Sequence, residues 1–237
     1  VADRLIVDSY ALDEQWELLL RSYCNEIMVI DDLANRRHDC DILLDQNFYL
    51  NKAVRYAGLV PAHCKMLLGP EHALLREEFY EAKKHLRERD GNIKNILVFY
   101  GGSDLTNETE KAIKALVQLH DEGYSFTVDV ITGVSNSRRE KIAKICSKYH
   151  FLYYYCQVSN MAEFMNKADL MLGAGGSTTW ERLYMELPAL VTAVAENQIQ
   201  GCEDCSQAGI IEYLGINDDV RIDTILEALH KKLDKHN

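Results

Sequence analysis

The sequence predicts an α/β protein built from parallel sheets in two domains. Three observations carry that reading: strand-length apolar runs alternate with helical patterns from end to end, glycine turns follow several of the strands, and the rhythm breaks at one charged stretch. Parallel strands need crossovers, and helical crossovers cover both faces of each sheet.

In order along the chain, Leu5-Ile6-Val7 reads as a strand, Glu14 to Arg21 as a helix, and Ile27 to Ile30 as a strand ending in Asp31-Asp32. Asp41 to Leu44 is a third strand and Asn47 to Val60 is irregular. Met66 to Pro70 leads into a helical stretch, Leu75 to Arg89. The charged run Lys83 to Asp90, followed by Gly91-Asn92, marks the expected boundary between domain 1–90 and domain 91–237.

The second domain has the cleaner rhythm. Ile96 to Tyr100 is a buried strand, and Asn107 with Glu110 forms a capping-box start to a helix carrying Ile113, Leu116, Val117 and His120 on one face. Phe126 to Ile131 is the next strand, and Ile142, Ile145, Cys146 and Tyr149 mark a helix. After strand Phe151 to Tyr155, a short helix starts at Asn160 with Glu163 three residues on. Strand Asp169 to Leu172 opens into a glycine loop. A helix from Thr178 to about Glu186, a strand Ala189 to Val194, a helix ending at Gly209 and an amphipathic helix through Ile222, Ile225, Leu226 and Leu229 complete the chain.

Composition narrows the function classes. A chain of 237 residues, 47% hydrophobic, can bury one good core or two modest ones. Its net charge of -11 and the lack of a dense Lys/Arg run argue against nucleic-acid binding. No apolar run reaches the roughly 18 residues that cross a bilayer, so no membrane span and a cytoplasmic location are expected. Seven scattered cysteines read as reduced thiols, the Cys202-x-x-Cys205 pair included, because no further zinc ligands stand at matching spacing.

Chemistry concentrates at loops that follow strands. Gly173-Ala174-Gly175-Gly176-Ser177-Thr178-Thr179 lies between a strand and a helix, where backbone N–H groups and the positive helix end favour an anion. Ser177, Thr178 and Thr179 add hydroxyls. The loop is neither a P-loop nor a GxGxxG fingerprint, and a turn serving only tight packing remains the alternative. Glu181, one helical turn on, can accept the two hydroxyls of a ribose, or it can close a capping box with Thr178. Gly102 and Ser103, then Thr132 and Gly133, then Val158, follow other strands at the same carboxyl edge, where open parallel sheets bind ligands. Asn197 and Gln198 offer neutral amide donors and acceptors suited to sugar hydroxyls or acetamido groups, or they form a polar loop with a helix cap. Asp8, Tyr10, Asp31 and Asp32 end strands of the first domain. Asp31-Asp32 could do chemistry or start a turn. Among the eight histidines no hydrolase triad stands out.

The segments GGSD from Gly101, VSNMAEFMNKADLMLGAGGSTTWE from Val158, LPALVTAVAENQ from Leu187, LLREEF from Leu74 and IDDLANRRHDCDILLDQN from Ile30 resemble the PseG family of UDP-sugar hydrolases. That family acts in pseudaminic acid biosynthesis. The spore coat polysaccharide protein SpsG is related, and more distantly the lipid-II-forming N-acetylglucosaminyltransferase. The resemblance covers nearly the whole chain. It implies a GT-B-like fold with two Rossmann-like domains and UDP or a UDP-sugar held mainly by the second, with the diphosphate on Gly175, Gly176, Ser177 and Thr178 and the ribose on Glu181. It further implies that water attacks the anomeric carbon with inversion. Cofactors and metals are not implied, and the second domain carries no carboxylate cluster that would hold magnesium.

One departure matters. The family carries a catalytic His in an N-terminal GxGHxxR loop, and these 237 residues contain no such stretch. Asp8-Ser9-Tyr10 matches the family's Asp-His-Tyr motif at Tyr10, making it the candidate catalytic residue, but not at the His. Two absent β–α units would amount to roughly 60 residues. The expectation is an incomplete first domain and nucleotide binding with little hydrolysis, and a homodimer could cover the apolar surface thus exposed. The rival readings are a glycosyltransferase using a UDP-sugar donor and a non-catalytic nucleotide-sugar-binding module.

Overall fold

The computed structural model describes residues 1–234 and divides into two compact units, Val1–Leu74 and the chain from Leu75 on. Both are α/β and both sheets are wholly parallel, as the alternation of apolar runs and helices requires.

In the first unit, β1 (Ala2–Asp8), β2 (Cys24–Ile30), β3 (Ile42–Asp45) and β4 (Lys65–Leu68) lie side by side in chain order. The connecting helices are α1 (Glu14–Leu20), whose first turn donates to the Asp13 carboxylate, and the short α2 (Lys52–Arg55) within the stretch read as irregular. Val7, Ile27, Val29, Leu43 and Tyr56 form the core. Among the described residues β1 pairs only with β2, and Ile6 on it is 59% exposed.

Two strand-end acids of this unit, Asp31 and Asp45, are held by internal bonds. Asp31 accepts bonds from the Ala34 N–H (2.9 Å), the Arg36 guanidinium (2.7 Å) and the Tyr56 hydroxyl (3.1 Å), so of its two sequence readings the turn is realised. Asp45 is buried and receives the Asn47 N–H (3.0 Å), the Tyr56 hydroxyl (3.0 Å) and Arg55 Nε (3.2 Å). Burial pushes its carboxyl up to about 6 against the pull of those donors. A carboxyl raised in the folded state binds its proton more tightly there than in the unfolded chain. Its contribution therefore favours folding below about pH 4 and is lost as pH rises to about 6, by up to about 3 kcal/mol. Asp45→Asn is expected to remove this component. Thermal unfolding at pH 4.5 and 7.5 should show a variant that gains relative to wild type at the higher pH.

In the second unit, α3 (Glu77–Lys83) precedes the sheet strands β5 (Asn95–Phe99), β6 (Thr127–Thr132), β7 (Leu152–Cys156), β8 (Leu170–Ala174), β9 (Ala189–Ala193) and β10 (Glu212–Ile216). Their spatial order is β10-β9-β8-β5-β6-β7. Helices α4 (Glu108–Asp121), α5 (Arg139–Cys146), α6 (Met161–Lys167), α7 (Thr178–Tyr184), α8 (Glu196–Gln207) and α9 (Ile222–Leu233) connect and follow them. The central strands β5, β6, β8 and β9 are apolar along most of their length because helices cover both faces. Ile96, Val98, Val128, Val130, Leu172 and Leu190 meet Ile113, Leu116, Ile225 and Leu229 in one core.

Three local expectations are corrected. The helix read from Leu75 to Arg89 ends at Lys83, and the charged segment after it belongs to the second unit. Arg87 donates to the carbonyls of Asn166 (2.6 Å), Lys167 and Ala168, while Arg89 reaches those of Met165 (2.8 Å), Met185 (3.0 Å) and Glu186. Two cations thus satisfy the last carbonyls of α6 and α7, which pulls this stretch onto the unit. Asn107 does not cap α4. It has φ +64°, and Asp104 takes the Glu108 (2.9 Å) and Thr109 (3.0 Å) N–H groups instead. β10 is a strand that the sequence pattern does not predict: its residues are all half-buried, and the pairing with β9 shifts register near Gly215.

Candidate nucleotide site of the second unit

All six strands of the second sheet run the same way, so every strand's carboxyl end lies on one edge. The chain builds outward from β5 through β6 to β7, then returns to the other side of β5 with β8 and continues to β9 and β10. The switch point lies between β5 and β8, and in open parallel sheets ligands bind in the crevice outside that point. Gly101–Asp104 follows β5 and the glycine loop follows β8, so the two loops singled out in the sequence flank it.

The glycine loop carries backbone donors that no described residue accepts. Gly175 N–H goes to the Thr192 carbonyl (3.1 Å), and those of Thr179 and Trp180 go to Gly176 (2.9 Å) and Ser177 (3.1 Å). Among the described residues, the N–H groups of Gly176, Ser177 and Thr178 have no acceptor. They open α7 together with the exposed Ser177 and half-buried Thr178 hydroxyls. Thr179 is buried beneath them, its hydroxyl unpartnered.

Glycine serves different needs at the two loop positions. A Cβ on Gly175 would stand 2.2 Å from Cys202 Sγ on α8, so the packing reading holds there. On Gly176 the nearest neighbour would be Gln198 Nε2 at 3.5 Å, an ordinary contact that leaves the N–H face accessible. Gln198 Oε1 accepts the Val194 N–H (3.0 Å), which turns its amide nitrogen toward the loop. Asn197 beside it is exposed.

Glu181 closes no capping box. Thr178 is the first residue of α7 rather than its cap, and the Glu181 carboxylate instead receives Arg76 Nε on Oε1 at 3.1 Å. Oε2 accepts no bond among the described residues. Burial raises this carboxyl and Arg76 opposes the shift, so an ion pair is held in a partly desolvated place.

The remaining predicted residues of the second unit follow strands at the same edge. Gly102 and Ser103 are exposed after β5, and Gly133 N–H binds the Gly102 carbonyl (3.1 Å). A Cβ on Gly133 would meet that carbonyl oxygen at 2.6 Å, so this glycine is required for two loops to touch. Thr132 is buried, its hydroxyl paired with Tyr154 (2.8 Å), and it shapes the edge from below. Val158 is half-buried beyond β7, at the sheet's far side. Tyr10 lies in the first unit, 59% exposed, just past β1. Sequence reasoning missed Arg76, since an arginine at a helix start carries no signal of its partner 105 positions away.

The model of the glycosyltransferase family 28 C-terminal domain matches residues 96–235. The chain belongs to that family. This family 28 chain is 27% identical over 194 residues to the UDP-2,4-diacetamido-2,4,6-trideoxy-beta-L-altropyranose hydrolase of Campylobacter jejuni, covering 82% of the chain and 67% of the relative. It is 24% identical over 176 residues to the spore coat polysaccharide biosynthesis protein SpsG of Bacillus subtilis, covering 73% and 50%. The family 28 chain spans between 38% and 67% of the lengths of the curated relatives it matches. The structure of S. aureus MnaA with UDP superposes with a TM-score of 0.61 at 14% identity, covering 98% of the chain and 66% of that one. The likeness carries the GT-B-like fold class, with two parallel-sheet, Rossmann-like domains. Among the described residues, no helix is long and apolar enough to cross a membrane.

Proposed function

We propose that the second unit binds a UDP-sugar at the β5/β8 switch point. One observation carries the reading: three N–H groups that no described residue accepts stand at the start of α7, with a carboxylate one helical turn on. The diphosphate takes the N–H groups of Gly176, Ser177 and Thr178 with the hydroxyls of Ser177 and Thr178, and Glu181 Oε2 takes the ribose. The edge formed by Gly102, Ser103, Thr132, Gly133 and Val158 reads the base and its surroundings. Asn197 and Gln198 face the sugar. The UDP of the MnaA–UDP co-structure and the UDP-linked sugar for which the Campylobacter relative is named support this choice of ligand.

In the protein as it acts in the cell, the reaction we propose is hydrolysis of a UDP-linked acetamido sugar, releasing UDP, in the biosynthesis of a surface polysaccharide or pseudaminic-type acid. Backbone dipoles at α7 stabilise the departing diphosphate, and Tyr10 is the residue that the resemblance assigns to the chemistry. Calorimetric titration with UDP, UMP and uridine tests the binding. UDP is expected to bind with an affinity on the order of micromolar and to lose at least tenfold on removal of one phosphate. Equal affinity for UDP and uridine overturns the diphosphate assignment. Incubation with a panel of UDP-sugars separates hydrolysis, which needs only water, from transfer, which needs an acceptor.

A further inference from the structure

Arg76 stands where the nucleotide reading needs a positive charge. A carboxylate placed to grip a ribose is also near the diphosphate joined to that ribose, and two like charges in a partly buried place repel. Arg76, at the start of α3, offers Nε to Glu181 Oε1 (3.1 Å) and its terminal nitrogen to Glu78 Oε1 (2.6 Å). Its guanidinium lies 5.1 Å from the centre of the buried Phe79 ring. Glu78 is fixed in turn, because its other oxygen accepts the Ala162 N–H at the start of α6 (3.0 Å).

The arrangement is directional. A planar fork seated on an aromatic ring holds one oxygen of Glu181 and leaves the other unengaged. A lone surface ion pair would matter little, but Glu181's side chain is only 17% exposed and its partner is anchored on two further sides.

We infer that Arg76 is a positioning residue for nucleotide recognition, cancelling the charge of Glu181 and aiming Oε2 at the ribose hydroxyls. It acts through Glu181 and touches no ligand. The inference rests on the ribose reading above.

The test compares UDP with 2′-deoxy-UDP by calorimetry in wild type, Arg76→Met, Arg76→Lys, Glu181→Gln and the Arg76→Met/Glu181→Gln double variant. Methionine keeps apolar contact with Phe79 while removing the charge. Wild type is expected to prefer UDP over the deoxy analogue by about tenfold or more. Arg76→Met should lose about tenfold in UDP affinity and most of that preference, and lysine, which restores charge without the fork, should recover part of it. In the Glu181→Gln background Arg76→Met should have less than a twofold further effect, because the two residues act as one unit.

The two ways of failing are separable. If wild type does not distinguish the two nucleotides, the ribose reading falls. If wild type distinguishes them while Arg76→Met retains both affinity and preference, or if the two substitutions add independently, Arg76 is only an element of packing and this inference falls alone.

Discussion

Glu181→Ala is expected to weaken UDP binding by about ten- to a hundredfold while leaving inorganic pyrophosphate binding unchanged. A hydrogen bond to a charged acceptor contributes about 1.5–3 kcal/mol, which converts to that range. Pyrophosphate should be spared because the donors proposed for it, the Gly176, Ser177 and Thr178 N–H groups, are not reached by the substitution. Folding should change little, since the lost pair with Arg76 leaves that arginine half-exposed and still bound to Glu78. UDP affinity unchanged within twofold would show that the carboxylate does not meet the ribose. Loss of pyrophosphate binding as well would show that the variant had disturbed the loop.

The second large effect separates two adjacent glycines. Gly175→Ala should cost about 1–3 kcal/mol of stability, because the new methyl must displace Cys202 Sγ from 2.2 Å inside a packed helix–strand contact. Adding Cys202→Ala should restore most of the loss, and thermal unfolding of the single and double variants reads this coupling directly. Gly176→Val should behave in the opposite way. The first atom of its side chain has room beside Gln198, so the melting temperature should stay within a few degrees, yet UDP and pyrophosphate affinity should each fall at least tenfold as the branched side chain stands over the N–H groups. Retained affinity in a folded Gly176→Val protein would move the diphosphate elsewhere on the edge.

How much of this could be read beforehand depends on how local the cause is. The strands Ile96–Tyr100, Phe126–Ile131 and Ala189–Val194 announce themselves because burial on both faces demands continuous apolar runs, and the observed β5, β6 and β9 differ from them by a residue or so at the ends. β10 escapes notice because it lies at an edge with every residue half-buried, so neither alternation nor a solid run is imposed on it. The helix predicted after Leu75 runs too far because its last residues have helical propensity, and tertiary bonds from Arg87 and Arg89 to distant carbonyls override it. Both capping-box readings, at Asn107 and at Thr178, resolve differently, as described. A three-residue spacing fixes which groups are close, not which backbone N–H they choose. In the site, the loop after β8 is legible because glycine and hydroxyl residues stand between a strand and a helix. The split of duties between Gly175 and Gly176 is not, since it depends on where Cys202 packs.

The adjacency of β5 and β8 has a bearing on how the molecule opens. The Gly101–Asp104 turn and the α7 donors are far apart along the chain and flank this seam only when it is zipped, so nothing short of the complete sheet can offer the proposed nucleotide its full set of partners. A ligand bound there resists breathing of the seam as a whole. At a hundred times its dissociation constant it adds about 2.7 kcal/mol against any opening that releases it. Amide exchange in β5 and β8 should therefore slow together when the nucleotide is present, whereas β7 and β10 at the margins of the sheet keep their own tempo.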